Sequence, residues 1–262
     1  VNILVTNDDG ILAPGIRHLA MAASEFGEVK VIAPERERSA CGHSMTMADP
    51  LRIHRHDWKE IEAISVSGVP VDCINVGLSI AFPDGCDLVL SGFNSGPNLG
   101  FDVTYSGTVA GAMEGTINGI RSVALSMACF DRSLPFHFES GSQWLKENWQ
   151  FITEVPLPTG SFLNVNIPSL PFDRINGSQI ARMGSRIYRD QVEMRKDPWD
   201  KPYFWQGGFA ITEEVEPGTD LNAILDHFVS ITPIKIDWTD EEAMESINNY
   251  FLGSLTGINP NR

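Results

Sequence analysis

The stretch VNILVTNDDG, residues 1–10, decides the fold. Val1 to Val5 are mostly β-branched or leucine, the composition of a buried strand. Thr6 and Asn7 end it, and two adjacent carboxylates, Asp8 and Asp9, arrive before Gly10. In an open parallel sheet, ligands sit just beyond the carboxyl ends of the strands. Two like charges there repel each other and lose hydration, so a positive group must compensate them. A hard divalent cation, Mg²⁺ or Mn²⁺, does so with oxygen ligands. The competing reading is a plain turn, or a cap for the helix that follows.

Working outward, Pro14 sits in the first turn of a predicted helix with Ile16, Leu19, Ala20 and Ala23 on one face. Gly27 is expected at its C′ position. VKVIAP (29–34) is a second apolar strand, so the opening is βαβ and parallel. The loop ERERSACGHSMTM (35–47) then lies beside the first strand's loop and brings Ser39 within reach of the acidic pair. Its hydroxyl suits a hard-metal site; alone, it is a turn residue. Residues 49–60 read as an exposed strand with His54 and His56 on one face, a spacing commoner on surfaces than in metal sites. Strands follow at 61–68, 86–92, 121–128 and 162–168, with a helix carrying Phe138, Trp144, Leu145 and Trp149.

SGFNSGPNLGFDVTYSGTVAGAMEGTINGI (91–120) is the second informative stretch. Its density of Gly and Asn after a buried strand means backbone bent tightly around something. Asn94 offers a neutral amide oxygen as a ligand, and Asn98 an amide for a substrate oxygen. Ser106-Gly107-Thr108 opens a helix running to about Gly119. Free N–H groups at such a start hold phosphate. The alternatives are N-capping by Ser106 and Thr108, and close helix packing through Gly107, Gly111 and Gly115.

From Ser169 the composition changes to a charged, aromatic, strand-like segment with turn signals at Asp197-Pro198 and Gly207-Gly208. Tyr188, Trp199, Tyr203, Phe204 and Trp205 predict a hairpin arm that packs on a partner subunit or borders a pocket. After a strand at 229–234, Asp237 or Thr239 is expected to N-cap a helix with Glu241 and Glu242 in its first turn. The expected division is a catalytic core at 1–168 completed by strand 228–236, an arm with a short helix at 169–227, and a C-terminal helix and tail at 237–262.

A chain of 262 residues fits one large α/β domain or a core with an appendage. A net charge of −15 argues against polymeric nucleic acid and anionic membrane as partners. An anionic substrate then needs a local positive centre. Cys41, Cys73, Cys86 and Cys129 form no CxxC pair, which suits thiols in a reducing cytoplasm. No basic start leads into an apolar segment, and no apolar run is long enough to span a bilayer. Neither GxxxxGK[ST] nor a GxGxxG after the first strand is present, which argues against P-loop and dinucleotide enzymes.

The pieces ILVTNDDG, APERERSACGHSMT, VSGVPVDC, SGFNSGPNLGFDVTYSGTVAGAMEG, NVNIP, RMGSRIYRD, EPGTDLNAI and VSITPIKIDWTD occur in this order. Together they resemble the SurE family of metal-dependent 5′/3′-nucleotidases, the survival-protein-E acid phosphatases. The resemblance implies a three-layer α/β/α Rossmann-like core with a mostly parallel sheet. It also implies a β-hairpin arm and a C-terminal helix exchanged within a homo-oligomer, a dimer or tetramer. One divalent ion per subunit, Mg²⁺ or Mn²⁺, would be held by Asp8, Asp9, Ser39 and Asn94. Phosphate would meet Asn98, Ser106, Gly107 and Thr108, and the catalytic set would be Asp8, Asp9, Asn94 and Ser106. The implied reaction is hydrolysis of nucleoside 5′- and 3′-monophosphates, with polyphosphate as a further substrate to test. The sequence departs from a common family form at Ala40, where Gly is usual, followed by Cys41-Gly42-His43. Asp9, a water or His43 stand as alternatives for the acid that protonates the leaving alkoxide. The rival class is an inactive or non-enzymatic metal-binding module; a receiver-like module would want an aspartate where Asn94 stands.

Overall fold

Strands that are apolar without a break are buried on both faces, which requires a parallel sheet with helices on each side. The computed structural model, which describes residues 1–131, 133–185, 187–211 and 215–255, has that arrangement. β1 (Asn2–Thr6) leads through α1 (Pro14–Ala23) to β2 (Glu28–Pro34), which pairs with it in parallel. β3 (Ile53–Asp57) is an exposed strand antiparallel to β4 (Glu62–Val66). α2 (Pro70–Ile80) crosses to β5 (Leu88–Ser95), parallel to β1 on its other side. α3 (Gly107–Ile117) leads to β6 (Arg121–Ala128), and α4 (Phe138–Glu147) with α5 (Trp149–Glu154) leads to β7 (Ser161–Pro168). β8 (Ser178–Ile180) precedes a hairpin of β9 (Ile187–Lys196) and β10 (Pro202–Ile211). α6 (Asp220–Leu225), β11 (Val229–Lys235) and α7 (Glu241–Leu255) complete the described chain.

Among the described residues nine strands form one sheet in the order β3-β4-β2-β1-β5-β6-β7-β11-β8, and the hairpin forms a separate two-stranded sheet. The chain works outward from β1 in one direction and from β5 in the other. The switch point therefore lies between β1 and β5, where an open α/β sheet leaves its ligand crevice.

Alternation along each strand builds the layers. Ile3, Val5, Leu88, Leu90, Leu163 and Val165 pack with Ile16 and Leu19 of α1 and Trp144 of α4. On the other face Leu4, Ile32, Ile64 and Val89 pack with Cys73 and Ile74 of α2. Val109 and Ala112 of α3 meet Ala124, Phe162 and Ile234. Each fully buried Leu or Ile contributes about 1.5–3 kcal/mol. Leu4→Ala, at the centre of the sheet, would lose about 2–5 kcal/mol including the cavity left behind.

Several local expectations are corrected. α1 ends at Ser24, whose N–H bonds to Ala20 O, so Gly27 is not its C′ residue. Gly27 is required instead because a Cβ there would fall 2.1 Å from the Val1 carbonyl oxygen. The expected single helix of Phe138 to Trp149 is two helices, with Asn148 as the junction. Gly207-Gly208 lies inside β10 rather than in a turn, because ten residue pairs of the hairpin stay in register. Asp240, not Asp237 or Thr239, accepts the Ala243 N–H at the start of α7. Arg132, Arg186, residues 212–214 and the tail from 256 on lie outside the described residues. No described helix is long and apolar enough to cross a membrane.

Candidate active site

The turn after β1 is closed by neither acid. Asn7 does this, accepting the Gly10 N–H and donating to Gly10 O, both at 3.1 Å. Nor do the acids cap α1, whose N-cap is Ala13 with no side-chain bond. Asp8 is instead turned inward, 4% exposed, and accepts a short hydrogen bond from the Thr108 hydroxyl. Asp9 Oδ2 accepts the Ser95 N–H at 2.9 Å, which ties the end of β1 to the end of β5. Burial pushes the Asp8 carboxyl up from 3.8 to about 6; the Thr108 hydroxyl opposes this and the Asp9 charge adds to it. A desolvated acid beside a second acid is the environment that a bound cation relieves.

α3 reaches this point because its inner face is nearly bare. A Cβ at Gly111 would fall 2.7 Å from Ser91 Oγ, and one at Gly115 2.5 Å from Ser122 Oγ. The stripe lets the helix lie against the sheet with its N-terminus over β1. There a Cβ at Gly107 would sit 2.8 Å from both Asp8 Cβ and Cys41 Sγ. Ser106 is the N-cap, its oxygen accepting the Val109 N–H at 3.0 Å. The packing role is thus realised, and capping by Ser106 but not by Thr108, whose hydroxyl goes to Asp8; together they put the positive end of the helix on Asp8.

The loop after β2 crosses the same ground. Arg38 N–H donates to Asp8 O at 2.7 Å, Gly42 N–H to Tyr105 O at 2.9 Å, and Thr46 N–H to Asp72 Oδ1 at 3.0 Å. Ser39 is exposed and donates to Glu37 Oε1 at 2.6 Å. His43 Nε2 lies 3.0 Å from Glu114 Oε2 on α3, so the loop is fastened to the helix beyond its first turn. Burial, then the Asp8 charge, pushes the Cys41 thiol up to about 11.

On β5 the pairing with β6 shifts register between Ser91 and Asn94. Asn94 Nδ2 donates to Gly96 O at 2.8 Å, which leaves the amide oxygen for a ligand. Asn98 is 7% exposed and held by Ser126, Asn164 and Asn166. Asp8, Asp9, Asn94 and the α3 N-terminus therefore gather at the switch point, with the Ser39 loop anchored to Asp8 through its neighbour Arg38. His54 and His56 sit apart on β3 at the sheet edge, rings 5.1 Å apart, with His56 bonded to Ser65 Oγ.

The donor set fits a hard cation. Two carboxylates and an amide oxygen are ligands such an ion takes, whereas the Ser39 hydroxyl is turned to Glu37 and is not brought to the acidic pair. Among the described residues no three His, Cys, Asp or Glu side chains gather as a metal site, so the further ligands would be neutral oxygens. Sequence reasoning missed the Thr108 bond to Asp8, the Cys41 contact and the holders of Asn98. The last had a signal: Asn164 and Asn166 alternate inward on a buried strand, where apolar residues are the rule.

The family described as Survival protein SurE matches residues 3–190. The chain is 40% identical to the 5'-nucleotidase SurE of Thermosipho melanesiensis over 252 residues, 96% of this chain and 98% of that one. It is 41% identical to the 5'-nucleotidase SurE of a Synechococcus species, covering 97% and 99% of the two chains. The crystal structure of the SurE protein from Aquifex aeolicus superposes with a TM-score of 0.83 at 38% identity, over 95% of this chain and 99% of that one.

Proposed function

The chain belongs to the SurE family, and from that membership together with the buried acidic pair we propose that it is a nucleotidase hydrolysing nucleoside monophosphates. The observation that carries this reading is Asp8: a carboxylate 4% exposed, beside Asp9, under a helix N-terminus. A divalent cofactor goes with the family. We assign it to Asp8, Asp9, Ser39 and Asn94, as one Mg²⁺ or Mn²⁺ per subunit. Held by these residues, such an ion would supply charge neutralisation and Lewis acidity for phosphoryl transfer to water.

The chain's own residues do the rest. Thr108 fixes the rotamer of Asp8 and keeps it ionised at lower pH than burial alone would allow. Ser106 caps α3 so that its first N–H groups stay aligned on the site, where Gly107 and Thr108 meet non-bridging phosphate oxygens. Asn98 offers an amide N–H to the same group. Such preorganised donors are each worth about 3–4 kcal/mol in the transition state. Activity on 3′-monophosphates and polyphosphate belongs to the same proposal.

We place the protein in the cytoplasm, supported by four free cysteines. The catalytic unit is taken as residues 1–168 with strand 228–236. The segment 169–227 and the part from 237 on are taken as its oligomerisation elements. Val192, Met194, Phe204 and Trp205 on the hairpin and Ile247, Phe251 and Leu252 on α7 are exposed, which supports exchange of these elements in a dimer or tetramer. Phosphate release from AMP in Mn²⁺, abolished by EDTA and restored by added Mn²⁺ or Mg²⁺, tests the function. EDTA-resistant hydrolysis contradicts the mechanism, and no hydrolysis contradicts the activity.

A further inference from the structure

Asn98 sits in a loop between β5 and α3 that has no ladder of its own, yet its backbone and side chain are both occupied. Its N–H donates to Asn166 Oδ1 at 2.8 Å, and Asn166 Nδ2 donates back to Asn98 O at 3.0 Å. Asn164 Nδ2 donates to the same carbonyl at 2.9 Å. The Asn98 amide in turn donates to Ser126 Oγ at 2.8 Å. A primary amide has two N–H donors, so this bond fixes the plane of the group and leaves the second N–H for an anion.

The three holders stand on β6 and β7, where Asn166 pairs with Ser126. At the other end of the same face the residues are Phe162, Ala124 and Ile234, packed against α3. The face thus turns from apolar to polar just where Asn98 lies over it. Stability does not account for the change. Asn164 Oδ1 and, on the neighbouring strand, Ser230 Oγ and Thr232 Oγ1 are buried with no protein partner among the described residues. Each such group is destabilising by about 1–3 kcal/mol unless a buried water serves it. Apolar side chains would fill this space with less penalty, but they would not grip Asn98.

We infer that Ser126, Asn164 and Asn166 are positioning residues that set the Asn98 amide for the substrate phosphate. The inference rests on the assignment of Asn98 as a substrate contact, and a double-mutant cycle separates the two. Asn98→Ala lowers kcat/KM about a hundredfold, the scale of a lost or misplaced reacting-site contact. Ser126→Ala lowers it about tenfold, with Mn²⁺ affinity unchanged. Because Ser126 acts only through the Asn98 amide, Asn98→Ala/Ser126→Ala is no slower than Asn98→Ala alone. A double variant slower than Asn98→Ala by the full Ser126→Ala factor overturns the positioning role and leaves the substrate contact standing. Wild-type kcat/KM in Asn98→Ala overturns the contact itself, and the positioning role with it.

Discussion

The strand-end site and the β9–β10 hairpin break the inside-out rule in opposite directions. At the end of β1 a carboxylate is 4% exposed, with a second acid beside it. On the hairpin, Phe204 is 61% and Trp205 60% exposed. Both arrangements raise the free energy of the isolated chain, and each would be relieved by the partner proposed for it: a cation in one case, another protein surface in the other. The two deficits differ in kind. Buried charge is answered by one group at one point, so a single substitution there has a drastic effect. Exposed apolar surface is answered in proportion to area, about 25 cal/mol per Å², so its effects are small and spread over several residues.

The sharpest break in that contrast concerns turnover. Asp8→Asn is expected to lower kcat by about a thousandfold or more, the upper range for losing a preorganised charge group. Its circular dichroism should match the parent. A comparable loss from any single hairpin substitution would erase the distinction.

Next comes the pH dependence of the metal-free protein. Asp8 titrates at about 6 in the fold against 3.8 ordinarily. The folded chain therefore holds a proton that the unfolded chain releases. This contribution is fully present below pH 3.8 and is lost as pH rises through 6, about 3 kcal/mol in all. Chemical denaturation in EDTA should show that loss in the parent and not in Asp8→Asn. A parent curve no steeper than that of the variant would contradict the buried, uncompensated state of Asp8.

Gly107→Ala puts a Cβ against Asp8 and Cys41, and overpacking of this kind costs about 1–3 kcal/mol. Thermal unfolding measures the loss, and Mn²⁺ should bind the variant more weakly. Gly119→Ala provides the contrast, since a Cβ there meets nothing within 4 Å although φ is +77°. That substitution should leave Mn²⁺ affinity intact.

The smallest effect is expected on the hairpin. Phe204→Ser with Trp205→Ser should weaken self-association about tenfold, measured by sedimentation, while kcat per site stays unchanged. Unchanged association would remove the hairpin from the proposed interface.

What was legible in the sequence follows the same division. The opening βαβ unit and the buried strands could be read because apolar runs report burial directly. The acidic pair could be read because charge at a strand end has few structural uses. Gly107, Gly111 and Gly115 were legible as a stripe, but not as both packing surface and route to Asp8, since that depends on which sheet face α3 meets. β8 was not legible: three residues, Ser178–Ile180, carry no periodicity, and β11 recruits them from across α6. The grip on Asn98 joins residues 66 and 68 positions apart, and only the folded sheet brings them together.

Titration calorimetry with Mn²⁺ on the parent and on Asp8→Asn tests the central claim most directly. The account predicts one saturable site per chain in the parent and none in the variant. Binding of equal stoichiometry and affinity in both would show that the ion, if the chain uses one, is held elsewhere.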